Sequence, residues 1–89
     1  MNDAIRKLEG RFSESMIDGE IVAMNLDNGD FFSLTHTGKE IWELIDGHRN
    51  RETIIDLLTV TYGSDRATIE SDVDAFLSQL RNAGLVAKI

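Results

Sequence analysis

The stretch DGEIVAMNLDNGDFFSLTHTGKEIW, residues 18–42, decides how this chain folds, because the backbone period changes inside it. Asp18-Gly19 separates two strand-like runs, residues 11–17 and 20–26, and an Asp-Gly pair favours a tight hairpin because both central positions accept positive φ. Asp27-Asn28-Gly29 supplies a second turn. Residues 30–34 then read as a third strand, whose alternation puts Phe32 and Leu34 on one face and Phe31 and Ser33 on the other. The result is a three-stranded antiparallel meander. Thr35-His36-Thr37-Gly38-Lys39-Glu40 switches to a helical period: Thr35 or Thr37 is placed to cap through its hydroxyl, and Glu40, three residues after Thr37, completes a capping-box pattern. A strand edge set directly against a helix serves as a scaffold, as a wing for DNA, or as a place where a visiting peptide adds itself as another strand.

Working outward, a first helix over residues 38–45 buries Ile41, Trp42 and Ile45 and is ended by Gly47. A second helix over residues 51–62 carries Ile54, Ile55, Leu57 and Leu58 as its apolar side and is stopped by Gly63. Ser64 or Asp65 caps a third helix reaching Ala83, in which Ile69, Val73, Phe76, Leu77 and Leu80 recur at helical spacing. Gly84 ends it, and Leu85-Val86 packs back as a short extension. Residues 1–10 mix charges with Ile5 and Leu8 and read as a flexible N-terminal arm, with residues 11–89 as one domain. Three strands followed by three helices make an α+β fold, winged-helix-like with its sheet placed first.

Composition narrows the chemistry. The chain has no cysteine and two histidines among its 89 residues, which removes disulfides, thiolate zinc sites and cysteine nucleophiles. His36 and His48 lack metal-ligand spacing. Asp72 and Asp74 lie two apart on a helix and so point in different directions, and the glycines form no phosphate-binding loop. The expectation is therefore no catalytic residue, no metal and no cofactor. No apolar run approaches the roughly 18 residues of a membrane span, and the N-terminus lacks the apolar region of a signal peptide, so a soluble cytoplasmic protein, monomeric or weakly dimeric, is expected. The formal net charge is −7 and the isoelectric point about 4.6. A nucleic-acid binder gains affinity by neutralising phosphates, yet residues 69–82 set Glu70, Asp72 and Asp74 against only Arg81. A winged-helix DNA-binding regulator is thus the alternative, and a partner carrying basic groups suits the charge better.

GEIVAMNLDNGDFFSLTHTGKEIWELIDGHRNRETIIDLL (residues 19–58), followed by YGSDRATIESDVDAFLSQLRNAGLV (residues 62–86), resembles the PqqD-like family, named for a pyrroloquinoline quinone biosynthesis protein. The most specific elements are the NGDFFSL strand, the TGKEIWELIDG helix, and DVDAFLSQL combined with NAGLV. His36 departs from the asparagine or other polar residue that many relatives carry after the strand. The resemblance implies a recognition element for ribosomally synthesised, post-translationally modified peptides. Such an element holds the leader segment of a precursor peptide and presents it to a modifying enzyme, a radical-SAM protein, or in lasso-peptide clusters a leader protease or cyclase. It implies that the leader adds to the third strand and packs against the last helix. The residues placed there are Asp30, Phe31, Phe32, Ser33 and Leu34 from the strand, and Ile69, Asp72, Val73, Phe76, Gln79 and Leu80 from the helix. Two points stay open at this level: whether the flank carrying Asp72 and Gln79 meets the leader, and whether the Ser33 N–H points to the open edge.

Overall fold

The computed structural model describes residues 4–63 and 65–87. β1 (Phe12–Ile17), β2 (Glu20–Asn25) and β3 (Phe31–Leu34) form an antiparallel sheet in the order β1-β2-β3. It is followed by α1 (His36–Leu44), α2 (Arg51–Tyr62) and α3 (Arg66–Asn82). This is the expected α+β architecture. Asp18 (φ 51) and Gly19 (φ 81) form the two-residue hairpin turn, with Ile17 paired to Glu20. Positive φ at both positions gives the turn a twist that matches the strands it joins.

One face of the sheet, through Ile21, Ala23 and Leu34, joins Ile41, Trp42, Ile54, Ile55, Leu58, Val73, Leu77 and Leu85 in the core. Trp42 is fully buried, and its indole Nε1–H donates to Glu14 Oε2 at 3.1 Å. Phe12 meets the indole edge-on with ring centroids 5.3 Å apart, and Lys7 Nζ lies 4.2 Å from the ring centroid. Asn25, 6% exposed, is the buried polar residue among the described residues. Its Nδ2 donates to the Ala83 carbonyl at 2.7 Å, and its Oδ1 accepts the Asp27 N–H at 2.8 Å. The end of β2 is thereby tied to the end of α3. Gly84 completes the joint: it takes φ 76, and a Cβ there would meet Asn25 Nδ2 at 3.1 Å.

Several local expectations are corrected. α1 begins at His36, with Thr35 as an extended N-cap and no side-chain cap bond, so the capping box of Thr37 and Glu40 does not form. His36 takes φ 52, turning the chain from strand to helix within one residue, and the helix has started before Thr37. Histidine, like asparagine, is enriched in this left-handed region, so the departure at His36 keeps the turn. α1 ends at Leu44, ahead of Gly47. The chain then turns on Asp46, whose Oδ1 accepts the N–H groups of His48 and Arg49 at 2.9 and 3.0 Å. Asp65 is the N-cap of α3 without a side-chain cap bond; Ser64 lies outside the described residues.

The flexible arm expected over residues 1–10 also differs from the structure, residues 1–3 lying outside the described part. Ile5 is a core residue, 4% exposed. Its N–H donates to Arg49 O (3.0 Å) and its carbonyl accepts from Gly47 N–H (3.2 Å), while Lys7 bridges to Val86. The reason is non-local: these partners lie 40 or more residues away, so the charge-rich pattern of the segment gives no sign of them.

α2 and α3 are registered by ion pairs. Arg51 grips Asp74 with two hydrogen bonds of 2.6 and 2.9 Å, and Arg66 reaches Glu52 (3.1 Å), Glu70 (3.4 Å) and Asp56. These groups are partly exposed, so each pair stabilises by about 1 kcal/mol or less.

Two outcomes are expected. Asn25→Ala leaves the Ala83 carbonyl and the Asp27 amide without their partner and should destabilise by about 1–3 kcal/mol, read as a lower urea midpoint at unchanged slope. The second concerns acid. The Arg51 hydrogen bonds hold Asp74 below its ordinary value of 3.8, and the His48 and Arg49 backbone N–H groups do the same for Asp46. A carboxylate with a depressed native pKa adds stability above its unfolded value and loses it as pH falls through the native value. Stability should therefore decline below about pH 4, and Asp74→Asn should flatten that decline in urea titrations across the range.

Candidate functional site

The hydrogen-bond pattern of the sheet determines which backbone groups face outward. Asn25 N–H donates to Asp30 O at 2.7 Å, in register with the β2–β3 pairing. In an antiparallel ladder, residues alternate between exchanging bonds with the neighbour and facing away. Asp30, Phe32 and Leu34 therefore bond toward β2, while the N–H and C=O groups of Phe31 and Ser33 face the open edge. This settles the orientation of Ser33 that the sequence leaves open. A second bond checks the parity: Leu26 N–H donates to Arg11 O at 2.9 Å, which turns the even residues of β2 toward β1.

Beside this edge lies a groove of about 320 Å³ lined by Phe31, Phe32, Ser33 and Leu34 from β3 and by Phe76, Gln79, Leu80 and Ala83 from α3. Leu34 and Leu80 form its buried floor, Phe32 and Phe76 are half-buried against the core, and Phe31 is 70% exposed. Gln79 and Ser33 add hydrogen-bonding groups to an otherwise apolar wall. Phe76 lies against the start of α1, where a Cβ on Gly38 would come within 3.1 Å of its ring. The absence of a side chain at Gly38 lets that ring seat.

The structure brings seven of the sequence-derived residues together here: Phe31, Phe32, Ser33, Leu34, Phe76, Gln79 and Leu80. Ile69 and Val73 are instead buried in the core, on the same stripe of α3 but one to two turns before the part of the helix that borders the groove. Asp72 is exposed and sits one turn before Phe76 without lining the groove, and Asp30 belongs to the preceding turn, its N–H bonded to Asn28 Oδ1 at 2.9 Å. Ala83 and Gly38 were not singled out. Ala83 follows Leu80 by three on the same helical stripe and was legible; Gly38 was not, because its role depends on where α1 passes α3. Among the described residues, no cluster of three or more His, Asp or Glu is arranged to hold a metal ion, and no helix is long and apolar enough to cross a membrane. Chemically, the arrangement offers two donors and two acceptors in a row beside an apolar trough, which suits an extended peptide.

The family model for coenzyme PQQ synthesis protein D (PqqD) matches residues 20–86. The chain belongs to the PqqD family. Among curated members, the PqqA binding protein of Rhodopseudomonas palustris (strain TIE-1) is 45% identical over 49 residues, 55% of this chain and 48% of that one. The protein of the same name from strain HaA2 is 43% identical over the same shares. The chain spans about half the length of the curated relatives it matches. Among solved structures, TbiB1 in complex with the TbiA(beta) leader peptide superposes with a TM-score of 0.82 at 32% identity, covering 93% of this chain and 96% of that one. Lasso peptide synthetase B1 complexed with the leader peptide shares the fold, with a TM-score of 0.78 at 24% identity over 94% and 98% of the two chains.

The edge parity of this PqqD-family sheet has a direct readout. In the free chain the amides of Phe31 and Ser33 should exchange rapidly with deuterium while those of Phe32 and Leu34 are protected, as monitored by NMR. Ser33→Pro removes an outward N–H and should keep the fold, whereas Phe32→Pro removes a ladder bond and should unfold it; circular dichroism melts distinguish the two.

Proposed function

We propose that this chain is a non-catalytic recognition element that binds the leader segment of a ribosomally synthesised precursor peptide and presents it to a modifying enzyme. The observation that carries this reading is the free backbone edge of Phe31 and Ser33 beside the groove between β3 and α3. Support comes from the relatives: the Rhodopseudomonas proteins bear the name PqqA binding protein, and TbiB1 was captured with a leader peptide.

In this reading the leader pairs with Phe31 and Ser33 as a fourth strand, and alternate side chains enter the groove over Leu34, Phe76 and Leu80. Each backbone bond contributes about 1 kcal/mol net, and the apolar contacts add the rest. Strand pairing supplies affinity without sequence preference; the groove supplies selection among leaders. Asp72, at the rim, meets lysine or arginine of the leader, an exposed pair that salt screens. The enzyme that receives the leader is a radical-SAM protein, a leader protease or a cyclase. The chain itself contributes orientation and raises the local concentration of the peptide, with no bond made or broken and no cofactor.

Calorimetry with the precursor peptide encoded beside this chain should give a dissociation constant in the micromolar range or tighter, with peptide-induced NMR shifts at Phe31, Ser33 and Phe76. Ser33→Pro should weaken binding roughly tenfold or more. Asp72→Asn should weaken it at low salt and matter less at high salt. No heat and no shift at high peptide concentration would sink the reading, and a tight, steeply salt-dependent complex with duplex DNA would replace it with the regulator.

A further inference from the structure

The sheet has a second open edge. The turn pairs Ile17 with Glu20 and Leu26 N–H bonds Arg11 O, so the odd residues of β1 bond to β2, while the backbone groups of Phe12, Glu14 and Met16 face away from it. Beside them lies another trough, of about 530 Å³, larger than the groove at β3. Met16 makes its exposed apolar wall over a floor of the buried Ile21 and Trp42, and Glu14, Glu43 and Lys7 its polar rim. Met16 and Ile17 are 61% and 55% exposed, so the hairpin offers apolar surface left open among the described residues.

We propose that the β1 edge is a second strand-addition site, taking an extended basic segment of a separate protein, with an apolar side chain of that segment seated against Met16 and Ile21. The charge argument selects the occupant. Lys7 is engaged over the Trp42 ring, and Lys39 Nζ donates to the Gly19 carbonyl at 2.8 Å. Both keep their charge, but Glu14, Glu43, Glu20 and Asp18 outnumber them four to two and leave the edge acidic. A second copy of this chain is a poor occupant: antiparallel pairing of two β1 strands about their middle brings Glu14 against its own counterpart and doubles a net charge of −7. Glu14 also protects the edge, since an inward-pointing charge discourages indiscriminate pairing. The same carboxylate that repels a copy attracts a lysine- or arginine-bearing strand, so one residue supplies both rejection and selection.

This site is independent of the leader groove, because β2 separates the two edges. Occupied together, they would extend one sheet on both sides, placing the two added strands about 19 Å apart, four spacings of about 4.8 Å.

The test is NMR titration of the ¹⁵N-labelled chain with a capped synthetic peptide of alternating lysine and valine, and with its glutamate–valine counterpart. The lysine peptide should shift the Phe12, Glu14 and Met16 amides and the Trp42 indole N–H, more weakly as salt rises; the glutamate peptide should not. Glu14→Gln keeps an acceptor for the indole, and it and Glu43→Gln should each weaken binding roughly two- to fivefold at low salt, a difference that vanishes at high salt. Met16→Pro should abolish the β1 shifts, and Ser33→Pro should leave them unchanged, which separates failure here from failure of the leader reading. If Met16→Pro does not fold, the two glutamine variants decide. Shifts confined to Phe31 and Ser33, an equal response to both peptides, or a dimer by sedimentation equilibrium that Met16→Pro abolishes would overturn the proposal.

Discussion

The two-residue turn at Asp18-Gly19 sets the register on which the rest of the molecule depends. It pairs Ile17 with Glu20, and with a side-chain period of two, a slip of one residue would send Ile21 and Ala23 to solvent and Val22 and Met24 into the core. The same register dictates the hydrogen-bonding parity of β1 and β2. Phe12, Glu14 and Met16 face one open edge because Ile17 closes the hairpin with Glu20, and Phe31 and Ser33 face the other because the second turn sets Asn25 against Asp30. The two turns thus govern core and edges together.

Two polar anchors convert that sheet into a domain. Asn25 joins β2 to the end of α3, and Glu14 joins β1 to the buried indole of α1. Both are side chains on the inner face of the sheet, where an unpaired polar group is costly and a paired one specifies a single packing. Because the Asn25 bond ends on Ala83, it also fixes the wall of the groove at β3. Stability and site geometry share a joint there.

The acidic charge is distributed with some economy. Asp74, Glu52 and Asp56 are matched by Arg51 and Arg66 between α2 and α3, and Glu70 by Arg66 within α3. The hairpin end and the adjoining face of α1 keep their glutamates with few free cations. Arg51 and Arg66 serve helix register, while Glu14, Glu20, Glu43 and Asp18 leave the β1 edge acidic.

The sequence by itself determined the elements and their order. Asp18-Gly19 announced the hairpin, the alternation of Phe31 to Leu34 sorted inner from outer faces, and the helical spacing of Ile69, Val73, Leu77 and Leu80 named the buried stripe of α3. The family was legible too, because its motifs run through most of the domain. These are local signals, carried by turn chemistry and by periods of 2 and 3.6 residues. Tertiary structure alone decided the rest. The left-handed His36 displaced the capping box, since a junction follows the demands of both elements it joins. Ile5 entered the core through partners more than 40 residues away. Ile69 and Val73 went to the core while Phe76, Gln79 and Ala83 lined the groove, because the groove runs along only the C-terminal part of α3, and how far along a helix a neighbouring strand reaches is contained in no single stretch of sequence.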